Sequence, residues 1–489
     1  MANMSLQVFG ATDPKVGYIA WTPVPLTILN PDRSDDVVKL TNESFGGSST
    51  RVVFFRAPSD DPVEEILVPL NGEVAVDLYV AGKFQSDQKH KGASPDSKDV
   101  RINAAFETEP NAVIATLELM VRVRRNANEL SDKARVDFLR ALAAVNGITQ
   151  NPTAGPGPGQ GVYTTDFVKM HVAGANTSEH GDSMFLPWHR LYLLDLERQL
   201  QEVIPEVSLP YWRFDQPAPN LFKQNFMGEM TQIPRDITQP GGELDVGGSN
   251  TPMAMFATNN PLSKWQIEST QGIPRAARFN PETESANGFS DPGGGTNFTL
   301  RDQQATINLG GGTSSAPQLA EFGAWVLSPR NRREPTRFAR MESSPHGAAH
   351  MSFNGYLNDA PVAPQDPLFF LLHCNVDRLW ALFQFLFQRE EKSDHKSYPY
   401  QSSGDASFWK IIDSTQWPWD GSQSQPDNFS PPGSRQNNFT PSHQVVNFPN
   451  NAPKIENAID PFGFRDTADN LGFAYDIVPF EFIAPPVTI

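Results

Sequence analysis

The sequence predicts a mainly α protein: a helical domain with long loops, preceded by a small all-β, sandwich-like N-terminal domain. Three observations carry this. Residues 1–125 hold short β-branched runs separated by Gly, Ser, Asp and Pro, as strands at short spacing do. From residue 126 the apolar residues recur at helical spacing in several stretches. Between these lie Gly- and Pro-rich segments such as QPGGELDVGG and DPGGGT, which read as loops. The predicted division is therefore 1–125 and 126–489.

The β runs come first: VVKLTNESF, TRVVFFRA, EEILVPL and EVAVDLYVA. In AVIATLELMVRVRR, strict alternation puts Val113, Ala115, Leu117, Leu119, Val121 and Val123 on one face. The first helix is SDKARVDFLRALAAVNG. Ser131 suits its N-cap, Val136, Leu139 and Ala143 its apolar face, and Asn146-Gly147 its stop. GPGPGQG (155–161) reads as a connection, and TDFVKMH as a helix closed by His171. FLPWHRLYLLDLERQLQEV follows, with Pro187 suited to the first helical position. The last helix is DPLFFLLHCNVDRLWALFQFLFQRE, with Asp366 as N-cap and Pro367 at the first position.

Composition narrows the function. The chain has 489 residues, 38% hydrophobic and 19% charged, which argues for a folded core and against disorder. Its net charge of −17, with no basic cluster, makes nucleic acid or an anionic membrane a poor partner. Cys374 stands alone, so no intramolecular disulfide is predicted. The start MANMSLQVFG has neither a basic n-region nor an apolar h-region. No run reaches the roughly 20 apolar residues of a membrane span. The expectation is a soluble, cytoplasmic protein, compatible with an oligomer.

The histidines carry the chemistry. Of nine, His90, His395 and His443 are scattered. The other six form two sets. His171, His180 and His189 follow H-x8-H-x8-H, and His346, His350 and His373 follow H-x3-H-x22-H. Four residues on a helix put His346 and His350 on one face. A lone helical histidine is ordinarily a surface or satisfied core residue. Two matching triads in a histidine-poor chain point instead to metal. Imidazoles without thiolate or carboxylate suit copper or zinc. Two equivalent triads suggest a pair of ions roughly 3.5–4 Å apart, and a redox-active pair of coppers can share electrons with O2 where zinc cannot.

MFLPWHRLYLLDLE (184–197) and DPLFFLLHCNVDRLW (366–380) resemble the two copper-binding signatures of the tyrosinase family. LPYW (209–212), DPFGFRD (460–466) and LGFAYD (471–476) extend the resemblance over roughly residues 122–480. It implies a four-helix bundle holding a dinuclear type-3 site of two copper ions. One copper falls to His171, His180 and His189, the other to His346, His350 and His373. It further implies O2 and small phenols as reaction partners. The expected reaction is oxidation of o-diphenols to o-quinones, with weak monophenol hydroxylation. A haemocyanin-like oxygen carrier and an o-aminophenol oxidase are the alternatives. A zinc hydrolase is disfavoured by the lack of a carboxylate ligand.

The resemblance also gives roles to neighbouring residues. Glu342 takes the place of a glutamate that holds a water near the second copper. Gly347 stands where many monophenol hydroxylases of the family have Asn. Phe369 is expected against the coppers, Ala360 at the entrance, and Met351 in the pocket. Asp377 is expected to orient an imidazole or to brace an arginine. The family's PYWDW reads PYWRF here, and Leu372 replaces the first of two adjacent histidines. Cys374 is on the wrong helix for the thioether that some members make beside the first triad.

Overall fold

The computed structural model describes residues 4–8, 19, 23–44, 51–83, 100–119, 123–148, 156–175, 184–204, 207–233, 251–286, 300–313, 315–327, 333–398, 412, 415–419, 453–466, 469, 471 and 473–477. Among the described residues, eight strands occupy the N-terminal part: β1 (Ser5–Val8), β2 (Val24–Leu29), β3 (Val37–Ser44), β4 (Arg51–Phe55), β5 (Ile66–Pro69), β6 (Ala75–Lys83), β7 (Val100–Phe106) and β8 (Val113–Leu119). They form two four-stranded sheets, ordered β1-β2-β6-β4 and β5-β3-β7-β8. Every neighbouring pair is antiparallel. Alternate residues point inward, as in Val24, Leu26 and Ile28 of β2 and Val38 and Leu40 of β3. The inward rows of both sheets share one apolar core.

The single buried face expected for 113–123 holds only in part. Leu117 and Leu119 are buried, but Val113 is 51% exposed. β8 is an edge strand, and its pairing with β7 slips at Ala104/Ala105, so its first half leaves the core. Val121 lies outside the described residues. Val123 belongs to a short strand, β9 (Val123–Arg124), that pairs in parallel with Ala474–Tyr475.

α1 spans Asp132–Val145, and the Ser131 side chain accepts the Ala134 N–H. Its buried face is Ala134, Phe138, Leu139, Leu142 and Ala143, and Val136 is only half-buried. Gly147 ends the helix at φ +80, where an added Cβ would lie 2.2 Å from the Gly157 carbonyl oxygen. A wide helical turn, Tyr163–Val168, leads into α2 (Lys169–Ala175), so His171 lies inside this helix rather than at its end. α3 (Phe185–Val203) begins two residues before Pro187. It is buried along most of its length because it packs against both α1 and the last long helix. A short α4 (Gln303–Ile307) follows.

The segment that carries His346 and His350 differs from a regular helix. A tight turn, Arg337–Glu342, runs into a wide turn, Ser343–Gly347, and then into α5, a single turn at Ala348–His350. Ser344 is extended at φ −153, ψ 121. Proline disfavours helical geometry in the residue before it, and Pro345 follows Ser344. α6 spans Leu368–Phe387. Asp366 caps it, accepting the Leu368 N–H at 2.9 Å. Arg275 grips the same carboxylate with Nε and Nη2, both at 2.6 Å.

Candidate metal centre

α6 carries His373, α5 ends in His350, and His346 lies one turn before it. His346 Nδ1 bonds the Glu342 carbonyl and His350 Nδ1 the Leu357 carbonyl, both at 2.7 Å. A carbonyl accepts only, so each Nδ1 carries the proton and each Nε2 keeps its lone pair. Both Nε2 atoms face His373 Nε2, at 3.2 Å and 3.1 Å. A proton on His373 Nε2 could serve only one neighbour, leaving lone pair against lone pair at the other. His373 Nδ1 is itself buried and has no hydrogen-bond partner among the described residues. A cation at the point where the three Nε2 atoms converge resolves the conflict, and the residues therefore fit a metal ion. This set of three is the one group of its kind among the described residues.

The first set sits against the second. The His189 ring stacks on His373 with centroids 4.4 Å apart and planes 16° apart. His171 lies 5.6 Å from His189. Their Nδ1 atoms bond the Pro361 carbonyl at 3.3 Å and the Phe185 carbonyl at 2.7 Å, which again leaves Nε2 for a ligand. The structure thus brings together five of the six predicted histidines, and His180 lies outside the described residues.

Burial sets their protonation. It pushes the His171 pKa down to about 3, helped by the nearby His350 and His346. Burial alone drives His350 down to about 4 and, with the neighbouring imidazoles, drives His373 well below the ordinary histidine value. Neutral imidazole is the form a metal needs.

Two phenylalanines close the site. Phe369 stacks on His373 at 4.0 Å and meets His171 edge-on at 4.7 Å. Phe185, which the sequence reading passed over, lies 4.7 Å from both His189 and His346. A signal for it existed, because Phe185–His189 repeats the four-residue spacing of Phe369–His373. A cavity of about 170 Å³ opens beside His346 and His350. Gly347, Met351, Ala360 and Phe369 all line it, as does Asn358, which the sequence reading did not pick out. Glu342 is half-buried and is not among the described lining residues; its backbone carbonyl orients His346.

Among the described residues, Asp377 holds no imidazole. Its carboxylate takes Arg190 Nε at 2.6 Å, Arg124 Nη1 at 3.2 Å and the Tyr475 hydroxyl, so it is a brace between arginines. Arg213 of PYWRF pairs with Asp215 through two bonds, of 2.7 Å and 2.9 Å. Asp215 in turn accepts the Gln303 N–H near the start of α4. Cys374 is buried, its thiol turned to the Leu209 carbonyl and the Tyr475 hydroxyl. Burial pushes its pKa up, which leaves it an inert thiol.

Residues 162–386 match the common central domain of tyrosinase. This central part of the chain, residues 162–386, is a tyrosinase-family domain. It is an oxidoreductase of the tyrosinase type, and its cofactor is a dinuclear copper site. Grixazone synthase of Streptomyces griseus subsp. griseus is 27% identical over 299 residues, covering 54% of this chain and 85% of that relative. A tyrosinase of Hahella sp. is 25% identical over 292 residues, covering 54% of this chain and 53% of its own length. The chain thus spans about half the length of the Hahella relative. Among solved structures, a polyphenol oxidase from Thermothelomyces thermophila is 18% identical, with a TM-score of 0.37 over 72% of this chain and 88% of that one. No helix among the described residues is long and apolar enough to cross a membrane.

Proposed function

We propose that this tyrosinase-family chain oxidises small o-diphenols to o-quinones with O2 and hydroxylates monophenols poorly. In this reading His171, His180 and His189 hold one copper, and His346, His350 and His373 hold the other. When bound, the coppers supply the two-electron redox chemistry that imidazoles lack. Two diphenols each give up two protons and two electrons, and one O2 becomes two waters.

The protein's own groups do the rest. Phe369 and Phe185 keep water from the histidines. The backbone carbonyls of Glu342 and Leu357 fix the tautomers of His346 and His350. The Glu342 side chain holds a water that takes the phenolic proton.

Gly347 is the observation that carries the preference for diphenols. It has ordinary helical geometry and lines the cavity, yet offers no side chain to help Glu342 polarise that water. A Cβ there would meet only the Glu342 carbonyl oxygen, at 3.4 Å, so a larger residue fits. Initial rates on catechol and tyramine test the reading. Catechol is expected to turn over much faster, and Gly347→Asn is expected to raise the tyramine rate relative to catechol. Equal rates in the unmodified protein would overturn the preference, and O2 binding without quinone formation would favour a carrier.

The finer features of the fold are proposed with it. α1, α2, α3 and α6 are the bundle, and residues 1–125 form a separate β domain that acts as a lid, folding aid or oligomer contact.

A further inference from the structure

One side chain in the cavity beside His346 and His350 still has hydrogen bonds to make. The three imidazoles of the described lining are committed at Nδ1, to the Pro361, Glu342 and Leu357 carbonyls, and their Nε2 atoms are left for the metal. The lining residues Gly347, Met351, Leu357, Ala360 and Phe369 offer no side-chain polar group beyond a thioether. Asn358 also lines the cavity. Its amide carries two donor hydrogens and an acceptor oxygen. Among the described residues that side chain makes no hydrogen bond. The described lining contains no lysine, arginine, aspartate or glutamate, so nothing charged competes with the amide for a ligand.

The backbone holds Asn358 in place from both sides. It closes a tight turn, Tyr356–Asn358. The residue before it, Leu357, is buried, and its carbonyl accepts from His350 Nδ1 at 2.7 Å. After it, the Asp359 N–H donates to the Tyr356 carbonyl and the Asp359 carbonyl accepts the Val362 N–H, both at 3.1 Å. Upstream, Phe353–Gly355 pairs with Arg275–Ala277. Asn358 is thus one residue from the group that orients a metal-ligating imidazole. The cavity, at about 170 Å³, lies below the roughly 300 Å³ at which ordinary ligand pockets begin, which suits a single aromatic ring.

We infer that Asn358 is a specificity-determining residue that favours o-diphenols whose ring carries a neutral, hydrogen-bonding substituent such as a primary carboxamide. The inference rests on the phenol-oxidase reading above. The ring turns its hydroxyls to the histidines and its far substituent to Asn358. A carboxamide both accepts from the Asn358 NH2 and donates to its oxygen. An alkyl substituent leaves the Asn358 amide without a partner. A carboxylate sheds its hydration for a lining that offers it no cation. Asn358 is half-buried, so water partly serves its amide and the discrimination stays modest.

The test uses 3,4-dihydroxyphenylacetamide, 4-ethylcatechol and 3,4-dihydroxyphenylacetate on the copper-loaded full chain; in each, a methylene insulates the ring from the substituent. The acetamide-to-ethylcatechol ratio of kcat/KM is expected to fall about tenfold in Asn358→Leu, the upper scale of one neutral hydrogen bond. The acetate is expected to be the poorest of the three. Asn358→Asp, which keeps the shape but loses the donor, should lower the acetamide ratio in part and the acetate rate further. Ratios that both variants leave unchanged, or an acetate that outruns the acetamide in the unmodified protein, overturn the inference. A second readout needs no turnover: equilibrium dialysis of phenylacetamide and ethylbenzene against the copper-loaded full chain. Asn358→Leu should weaken phenylacetamide selectively, and equal weakening of both would show that Asn358 only shapes the cavity and would overturn the inference. Failure to oxidise any of the three diphenols would sink the phenol-oxidase reading, whereas the dialysis still decides the role of Asn358.

Discussion

His350 and His171 show how burial prepares a residue for metal. Their pKa values fall to about 4 and about 3, because burial disfavours the imidazolium. In the unfolded chain they return to about 6.5. Below that pH the unfolded state takes up protons that the folded state refuses. The metal-free fold is therefore expected to lose stability as pH falls from about 6.5 towards about 3. These groups should add no pH dependence above that window. Urea midpoints of the metal-free protein across the window check this, and a flat profile would contradict it. Copper competes with protons at the folded values, so it should survive dialysis at about pH 5 and be lost between about 4 and 3. At this scale the sequence was a good guide, since two histidine sets in a histidine-poor chain are hard to explain without metal. Phe185 escaped because an aromatic in an apolar helix ordinarily reads as core.

Among the elements, the start of α6 decides where His373 points. Asp366 is fully buried, caps the helix at Leu368 and is forked by the equally buried Arg275. Breaking a buried pair by removing one partner costs about 3–5 kcal/mol. Arg275→Met is therefore expected to destabilise the chain by that amount. Asp366→Asn, which keeps an oxygen for the cap, should cost less. Denaturant unfolding of both variants checks the order, and equal losses would show that the broken charge pair alone sets the cost, whichever partner is removed. The caps at Ser131 and Asp366 were legible because capping is a local, two-residue interaction. The turn carrying His346 was not. H-x3-H reads as a helix face, whereas Pro345 forces Ser344 out of helical geometry, leaving only a turn or two to present both imidazoles. The edge position of β8 was equally invisible, because strand order is set by partners far away in sequence.

For the molecule as a whole, the site depends on a charge network that ties Arg124 and Tyr475 to α3 and α6. Arg124 is fully buried and meets Glu197 of α3 at 2.9 Å, Asp377 of α6 at 3.2 Å and the Tyr475 hydroxyl at 3.0 Å. Its guanidinium lies 3.8 Å over the Phe473 ring. β9 holds it in place by pairing with Ala474–Tyr475. Glu197 also accepts the Leu209 N–H at 2.8 Å. Arg190 completes the ring from α3 by joining Asp377, its guanidinium 3.7 Å over Trp380. α3 supplies His189 and α6 supplies His373, so a network that locks these helices also fixes the stacked imidazoles between them. Without Arg124, Glu197 would be left as an unpaired buried charge, at a cost of about 3–5 kcal/mol. Two truncations separate this network from the β sheets. A chain starting at residue 120 keeps β9 and Arg124, and is expected to fold and take up copper in its helical part. One starting at residue 126 loses both, and is expected to unfold at much lower denaturant and to hold copper poorly. Circular dichroism melts and copper content of the two fragments decide it. If both fragments behave alike, the Arg124 network is dispensable and the copper helices are held by their apolar packing alone.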